Sequence, residues 1–214
     1  MNATYRLDRA AGTLFDGAGR RWDREQLRWD AVAAPASGAA VDVRAALGWL
    51  QCDGGRPIRV PVGVIGPRDA TPAQLDAAAV VGRGLAGMGL AVVCGGRHGV
   101  MEAVCRGARA GGGLSIGLLP DADPAFANPY VDVVIATGIG EARNALITRA
   151  ALCLVAIGDS FGTLSEVAFG RQFGKLVVGL EGAADVNGVV HVDTAAAALA
   201  LVAGHALDRC GGGG

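Results

Sequence analysis

Residues 60–74 read VPVGVIGPRDATPAQ, and this stretch indicates the type of fold. The apolar run over residues 60–66 predicts a buried strand. Thr71, Pro72 and Gln74 then provide the capping hydroxyl, the first-position proline and the capping-box glutamine of a helix. We therefore expect a strand, a turn and a helix in direct succession, which is the repeating unit of an α/β fold.

The same succession repeats toward the C-terminus. Further apolar runs predict strands over residues 90–94, 114–119, 131–136, 153–157, 176–180 and 190–192. Apart from Ser115, Asp132 and His191 these runs are apolar, which is typical of strands covered on both faces. The intervening segments predict helices over residues 71–89, 99–109, 141–150, 162–173 and 194–207. Because crossovers between parallel strands are right-handed, the predicted fold class is α/β: a doubly wound, mostly parallel Rossmann-like sheet with helices on both faces.

The composition changes near Pro57, which suggests a domain boundary. All three tryptophans of the 214 residues precede Pro57, and the regular alternation follows it. The first part predicts a hairpin around residues 16–17, a small-residue spacer near residues 33–38 and a helix over residues 41–50. We expect a small N-terminal appendage (residues 1–56), a Rossmann-like domain (residues 57–208) and a flexible glycine tail (residues 209–214).

The overall composition argues against several classes of partner and chemistry. Lys and Arg together number 19 against 20 for Asp and Glu, so neither nucleic acid nor a membrane surface is an expected partner. The first residues lack the apolar core of a signal peptide, and no apolar run reaches the roughly 18 residues that span a bilayer. The 5 cysteines have no CxxC spacing, and neither HExxH nor GxSxG occurs. We expect a cytoplasmic protein with free thiols, no metal site and no Ser/His/Asp hydrolase triad.

Four turns that follow predicted strands are candidate ligand-binding segments. They cover residues 66–68, 95–99, 137–140 and 158–163. In an open parallel sheet such turns meet at one edge, where ligands bind. Three of them lead into a helix N-terminus, where unpaired N–H groups and the macrodipole favour a phosphate or carboxylate. One glycine turn alone would reflect only a tight connection, but several on one edge favour a site for a phosphorylated ligand.

The strongest local signal is the run from Gly162 to Glu166. It places the Thr163 hydroxyl in the first turn of a helix and the Glu166 carboxylate one turn later. Arg143 begins the helix after Gly140 and is expected to project from a neighbouring strand end. Two interpretations stay open: the arginine and the carboxylate face one pocket from opposite sides, or they form a salt bridge that only joins two helices.

The order of these turns resembles the Lonely-Guy (LOG) family, once called lysine decarboxylase-like, and its relatives, which include molybdenum cofactor carrier proteins. Residues 94–103, CGGRHGVMEA, resemble the glycine-rich GGxxGxM element, and residues 162–166, GTLSE, resemble the GxGTxxE element. Residues 137–144, TGIGEARN, are more similar to the carrier branch, because Asn144 stands where LOG enzymes have lysine. The similarity runs from about residue 62 to residue 180.

The resemblance implies hydrolysis of the N-glycosidic bond of a nucleoside 5′-monophosphate, with no cofactor required. On this interpretation Glu166 stabilises the cationic ribosyl transition state or orients water, and Arg143 positions the ribose or base. The N–H groups of residues 160–163 hold the 5′-phosphate. The residues expected to contact the ligand and its phosphate are Gly66, Pro67, Gly95, Gly96, Arg97, Gly99, Met101, Thr137, Gly138, Gly140, Asn144, Ser160, Phe161, Gly162 and Thr163.

The phosphate loop departs from the family pattern. Where the family has PGGxGT, residues 158–163 read GDSFGT. A carboxylate at Asp159 opposes anion binding unless it points away or meets Arg68 or Arg97. The alternative function is therefore a non-catalytic carrier that holds molybdenum cofactor, or another phosphorylated pterin or nucleotide, in the same crevice.

Two further hypotheses rank lower. A dinucleotide site is supported by Gly95, Gly96 and Asp121, but residues 95–99 do not follow the GxGxxG pattern. In the last hypothesis the crevice is vestigial and the tryptophan-rich appendage contacts a protein partner. The resemblance also implies a homodimer or a higher homo-oligomer.

Overall fold

The computed structural model describes residues 5–33 and 36–210, which divide into two compact units. One unit comprises residues 60–199, and the other comprises the described residues of 1–59 and 200–214. Part of the predicted spacer and most of the predicted tail lie outside the described residues. Residues 200–208, which the sequence assigned to the Rossmann-like domain, group with the N-terminal residues instead.

The N-terminal residues form a five-stranded antiparallel sheet followed by one helix. The strands lie in the order β4 (Arg28–Asp30), β3 (Arg21–Asp23), β2 (Thr13–Phe15), β1 (Tyr5–Asp8) and β5 (Ala39–Val41). The predicted hairpin is the β2–β3 pair, and the structure adds three strands that the pattern did not predict. Helix α1 (Val43–Cys52) begins at Asp42, whose side chain accepts a hydrogen bond from the Ala45 N–H. The Trp22 indole donates to the Gly54 carbonyl at 2.8 Å and anchors the segment after α1.

The larger unit is a seven-stranded parallel sheet, which confirms the predicted fold class. Across the sheet the strands are β12 (Val190–His191), β11 (Val177–Leu180), β10 (Leu154–Ile157), β6 (Val62–Ile65), β7 (Val92–Cys94), β8 (Ser115–Leu119) and β9 (Val133–Ala136). Its helices are α2 (Pro72–Gly87), α3 (Val100–Ala110), α4 (Arg143–Ala150) and α5 (Phe161–Gln172), and α6 (Ala195–Arg209) begins in this unit and ends in the other. Helix α6 continues to Arg209, which the sequence had placed in the tail.

The order of the strands places a crevice next to β6. The chain adds β7 and β8 on one side of β6, and then returns through α4 to add β10 and β11 on the other side. Right-handed crossovers in opposite directions put α2 and α3 on one face of the sheet and α4 and α5 on the other. Ligands of open α/β sheets bind at this reversal point, beyond the carboxyl ends of the strands.

Strand β9 differs from the expectation of strands covered on both faces. It lies at one edge of the sheet, and Val133, Val134 and Ile135 are 42%, 37% and 45% exposed. Strands β6, β7, β10 and β11 are buried along their whole length and form the core with Ile147 and Val167 from the helices. An apolar run identifies a strand, but its position in the sheet decides whether both faces are covered.

Two glycines allow α2 and α3 to pack closely. A Cβ atom built on Gly82 would lie 2.2 Å from the Val104 carbonyl oxygen, and one on Gly107 would lie 2.1 Å from the Ala79 carbonyl oxygen. Both separations are far inside van der Waals contact, so only glycine fits at either position. Within the described residues, no helix combines the length and the apolar character that a bilayer crossing requires.

Candidate functional site

A cavity of about 640 Å³ lies at the carboxyl ends of the strands. Its walls come from the turns after β6 and β7, from the first turn of α3 and from the beginnings of α4 and α5. Its volume is within the range that holds a drug-sized ligand. The cavity thus occupies the reversal point that the strand order predicts.

Many of the residues predicted for the site line this cavity together. They are Gly66, Gly95, Arg97, Met101, Arg143, Asn144, Ser160, Phe161, Gly162, Thr163 and Glu166. The remaining predicted residues do not line it; they are Pro67, Gly96, Gly99, Thr137, Gly138 and Gly140. Three of the four predicted turns therefore contribute directly, and the turn at residues 137–140 does not.

The residues outside the cavity shape the backbone around it. Gly99 begins α3 with φ +70°, and a Cβ atom there would lie 2.2 Å from the Arg68 carbonyl oxygen. The Thr137 hydroxyl donates to the Leu119 carbonyl at 2.6 Å. The N–H of Gly138 donates to the Asp121 carbonyl at 3.0 Å, which ties this turn to the loop after β8. Their contribution is to loop geometry rather than to the cavity surface.

Arg143 and Glu166 meet inside the cavity. Each side chain is about 5% exposed, and the Arg143 Nη1 lies 3.6 Å from the Glu166 Oε1. Gly95 leaves room for the guanidinium, because a Cβ atom on Gly95 would lie 2.6 Å from Nη2. Nη1 also donates to the Asn144 amide oxygen, whereas Nε is buried and lacks a hydrogen-bond partner among the described residues. The two side chains thus lie next to each other, one on α4 and one on α5, and both form part of the cavity wall.

Burial changes the protonation of Glu166. Desolvation raises the pKa of its carboxyl to about 8, because the loss of water outweighs the attraction of Arg143, and Glu141 adds a smaller upward contribution. Glu166 is therefore mostly protonated at neutral pH and can donate a hydrogen bond. The lining holds three arginines, Arg68, Arg97 and Arg143, and two carboxyl groups, those of Glu141 and Glu166.

The predicted phosphate loop has fewer free donors than expected. Ser160 caps α5, and its hydroxyl oxygen accepts from the Thr163 N–H at 3.1 Å. The Ser160 N–H donates to the Asp159 carboxylate at 2.8 Å. Of the four expected N–H groups, those of Phe161 and Gly162 are left for a ligand. Gly162 lines the cavity, and a Cβ atom built on it would meet only the Ser160 hydroxyl oxygen, at 3.7 Å.

Arg97 does not neutralise Asp159. Its Nε donates to the Asp121 Oδ2 at 2.9 Å, and this guanidinium lowers the pKa of the Asp121 carboxyl. Asp159 is exposed and has no ion pair within the part of the chain that the structure describes. Of the two arginines that could have offset the Asp159 charge, Arg97 is instead held at the cavity by Asp121.

Four further lining residues were not among the expected ligand contacts, and they are Ile65, Arg68, Glu141 and Ser165. Arg68 lies in the candidate turn after β6, but the sequence suggested it only as a possible partner of Asp159. Ser165 accepts from the Asn144 side-chain amide at 2.9 Å and so joins α5 to α4. No local pattern distinguishes Ser165 or Glu141 from ordinary helix residues.

Cys94, Cys105 and His98 lie near the site and contact other side chains of the protein. The sulfur atoms of Cys94 and Cys105 lie 3.6 Å apart, and both thiols are free and buried. His98 is exposed, and its Nδ1 lies 3.0 Å from the Glu102 carboxylate. Residues 5–33 and 36–210 contain no cluster of three or more His, Cys, Asp or Glu side chains suited to a metal ion.

Comparison with known proteins identifies relatives of this fold. The chain is similar to the molybdenum cofactor binding protein from the phototrophic bacterium Rippkaea orientalis, with 34% identity and a TM-score of 0.65 over 68% of this chain and 96% of that chain. It is similar to the molybdenum cofactor carrier protein of Chlamydomonas reinhardtii, with 33% identity and a TM-score of 0.64 over 70% of this chain and 99% of that chain. An uncharacterized protein from Archaeoglobus fulgidus is 35% identical over 128 residues, which are 60% of this chain and 84% of that protein.

The family assignment follows from the sequence match. Residues 59–204 match the SLOG cluster4 family, and this range includes all three wall-forming turns and the Arg143–Glu166 pair. The match confirms the resemblance to the LOG superfamily and its carrier branch that the glycine-rich turns indicated. The chain belongs to the SLOG cluster4 family.

Proposed function

We propose that this protein binds a phosphorylated pterin, such as the molybdenum cofactor, in the cavity beside β6 and carries it without chemical change. The observation that carries the proposal is Arg143, a buried cation whose Nε has no partner among the described residues and which lines the cavity. A buried donor of this kind is costly unless a ligand or water satisfies it. The molybdenum cofactor proteins named above support the choice of ligand.

The lining offers a place for each part of such a ligand. The N–H groups of Phe161 and Gly162, with the positive end of the α5 dipole, favour the phosphate. The Phe161 ring is 95% exposed at the rim of the cavity and offers a flat face for stacking on a pterin. Arg143 and protonated Glu166 provide donors for the oxygen and nitrogen atoms of the ring.

Cofactor transfer tests this proposal. Molybdenum cofactor released from a molybdenum enzyme is mixed anaerobically with the purified protein, and protein-bound molybdenum is measured after gel filtration. We expect close to one molybdenum per chain. Retention no greater than that of an unrelated protein of similar charge would contradict the carrier function.

Hydrolysis of nucleoside 5′-monophosphates is the second candidate. The meeting of Arg143 and Glu166 in one cavity favours it, since this is the pair that the LOG resemblance assigns to catalysis. Glu166 must be ionised to stabilise a ribosyl cation, and its pKa of about 8 means that turnover should rise from pH 6.5 to 8.5. Chromatography of AMP, GMP, IMP, CMP and UMP after incubation measures released base. Release by the wild type and its loss in Glu166→Gln would favour the enzyme over the carrier.

We also propose that the protein is a homo-oligomer, as the family resemblance implies. The exposed aliphatic side chains of edge strand β9 support this, because an uncovered apolar edge favours contact with a second copy. Light scattering across a dilution series should give the mass of a dimer or larger assembly. A monomer mass at micromolar concentration would contradict it.

A further inference from the structure

We propose that Asp159 and Ser160 make the cavity selective for a phosphate with one negative charge, as in a phosphodiester or pyrophosphate link, over a terminal phosphate with two. This inference rests on the proposed function and specifies the phosphate chemistry of the same ligand. On this basis the preferred ligand is one in which a second group esterifies the phosphate, such as a pterin dinucleotide.

Two backbone N–H groups at the start of α5 are already hydrogen-bonded within the protein. The Asp159 carboxylate occupies the Ser160 N–H, and the Ser160 hydroxyl occupies the Thr163 N–H. Two side-chain oxygens thus stand where phosphate oxygens would otherwise accept. The N–H groups of Phe161 and Gly162 remain, and two donors satisfy a phosphodiester more completely than a terminal phosphate with three charged oxygens.

The Asp159 carboxylate also lies close to the start of α5 in the sequence. Asp159 is exposed, and within residues 5–33 and 36–210 no arginine, lysine or histidine forms an ion pair with it. Its negative charge therefore lies one residue before Ser160, which caps the end of α5 that would bind the phosphate. In water, each additional negative charge about 5 Å away weakens binding by roughly fivefold. The free-energy penalty for a dianionic phosphate is therefore about twice that for a monoanionic phosphate.

An independent feature shows that this helix start faces a ligand site. Arg143 lies on the neighbouring helix, is 5% exposed, lines the same cavity and has a buried Nε without a partner among the described residues. The open space beside Gly162 belongs to that cavity. A ligand that satisfies Arg143 therefore comes close to the remaining N–H groups of α5.

Two matched probes test the inference. Guanine shares its amino-oxo-pyrimidine ring with pterin, so GMP supplies a terminal dianionic phosphate and its 5′-phosphate methyl ester supplies a monoanionic phosphodiester. Affinities are measured by titration calorimetry at pH 7.5, where a terminal phosphate is doubly charged, and chromatography verifies that the nucleotide is intact. The proteins are the wild type, Asp159→Asn, Ser160→Gly and the control Asp185→Asn, which removes one charge from a fully exposed side chain outside the cavity.

We expect the wild type to bind the methyl ester more tightly than GMP. Asp159→Asn should raise the GMP affinity roughly 20-fold and the ester affinity only about fivefold. Ser160→Gly frees the Thr163 N–H and should strengthen the binding of both probes, whereas Asp185→Asn should change neither. Equal effects of Asp159→Asn on both probes, or none, would overturn this inference alone. Failure of both probes to bind the wild type at millimolar concentration would overturn the proposed function as well.

Discussion

Replacing Arg143 with alanine is expected to weaken the binding of a phosphorylated pterin about 100-fold. The guanidinium is buried in the cavity wall, with Nε free of a partner among the described residues and Nη1 3.6 Å from the Glu166 carboxyl. Hydrogen bonds from a charged donor contribute roughly 1.5–3 kcal/mol each, and every 1.4 kcal/mol corresponds to about tenfold in affinity. The loss of two such bonds therefore predicts the stated change, to be measured by retention of molybdenum cofactor at increasing concentration.

Arg149 provides a matched control on the same helix. Its guanidinium lies 3.7 Å from the Phe173 ring centre, and it does not line the cavity. Arg149→Ala should therefore bind the ligand within twofold of the wild type. Because Glu166 is mostly protonated, the loss of Arg143 should leave the protein folded, and thermal unfolding checks this. Arg143→Gln, which retains a hydrogen-bond donor without the charge, should show an intermediate loss. Unchanged affinity in folded Arg143→Ala would contradict the assigned site.

Replacing Gly82 with alanine is expected to destabilise the larger unit by about 3 kcal/mol. The new methyl group would lie 2.2 Å from the Val104 carbonyl oxygen and 2.9 Å from the Ala108 nitrogen, so α2 and α3 must separate. Overpacking against backbone atoms costs roughly 1–3 kcal/mol, and rigid backbone on both sides places this substitution at the upper end. Urea unfolding followed by circular dichroism measures the change.

Gly87 is the matched control within α2. No heavy atom lies within 4 Å of a Cβ atom built there. Gly87→Ala should therefore stabilise the protein by about 0.5–1 kcal/mol, because alanine loses less backbone freedom on folding than glycine does. If Gly82→Ala and Gly87→Ala had similar free energies of unfolding, close packing of α2 on α3 would not be the reason for glycine at position 82.

Local patterns predicted the helices and the strands of the parallel sheet to within about two residues at most ends, for identifiable reasons. The capping box is one example: the Thr71 hydroxyl accepts from the Gln74 N–H at 3.3 Å, and the Gln74 side chain accepts from the Thr71 N–H at 3.0 Å. These interactions join residues three apart, so neighbouring residue types are sufficient to predict them. The short strands of the N-terminal sheet were mostly missed, because runs of three residues carry almost no periodicity.

The sequence predicted which turns lie near the candidate site, but not which of them line the cavity. Glycines at the ends of apolar runs indicated the segments that lie at the carboxyl edge of the sheet. Whether each segment lines the cavity depended on its distant partners: the turn at residues 137–140 is tied to residues 119–121 and lies outside the lining. Similarly, Arg97 binds the Asp121 carboxylate and not that of Asp159. The spacing of these residues in the sequence does not determine which of the two carboxylates it binds.

The sequence by itself determined the α/β class, the order of strands and helices, and the family, because these depend on apolar periodicity, helix caps and short motifs. Only the tertiary structure decided that Arg143 and Glu166 share one cavity wall and that burial raises the pKa of Glu166 to about 8. It also decided that Asp159 and Ser160 occupy donors at the start of α5. Distances between residues far apart in the chain, and the loss of water around a side chain, arise from the packing of whole helices against the sheet.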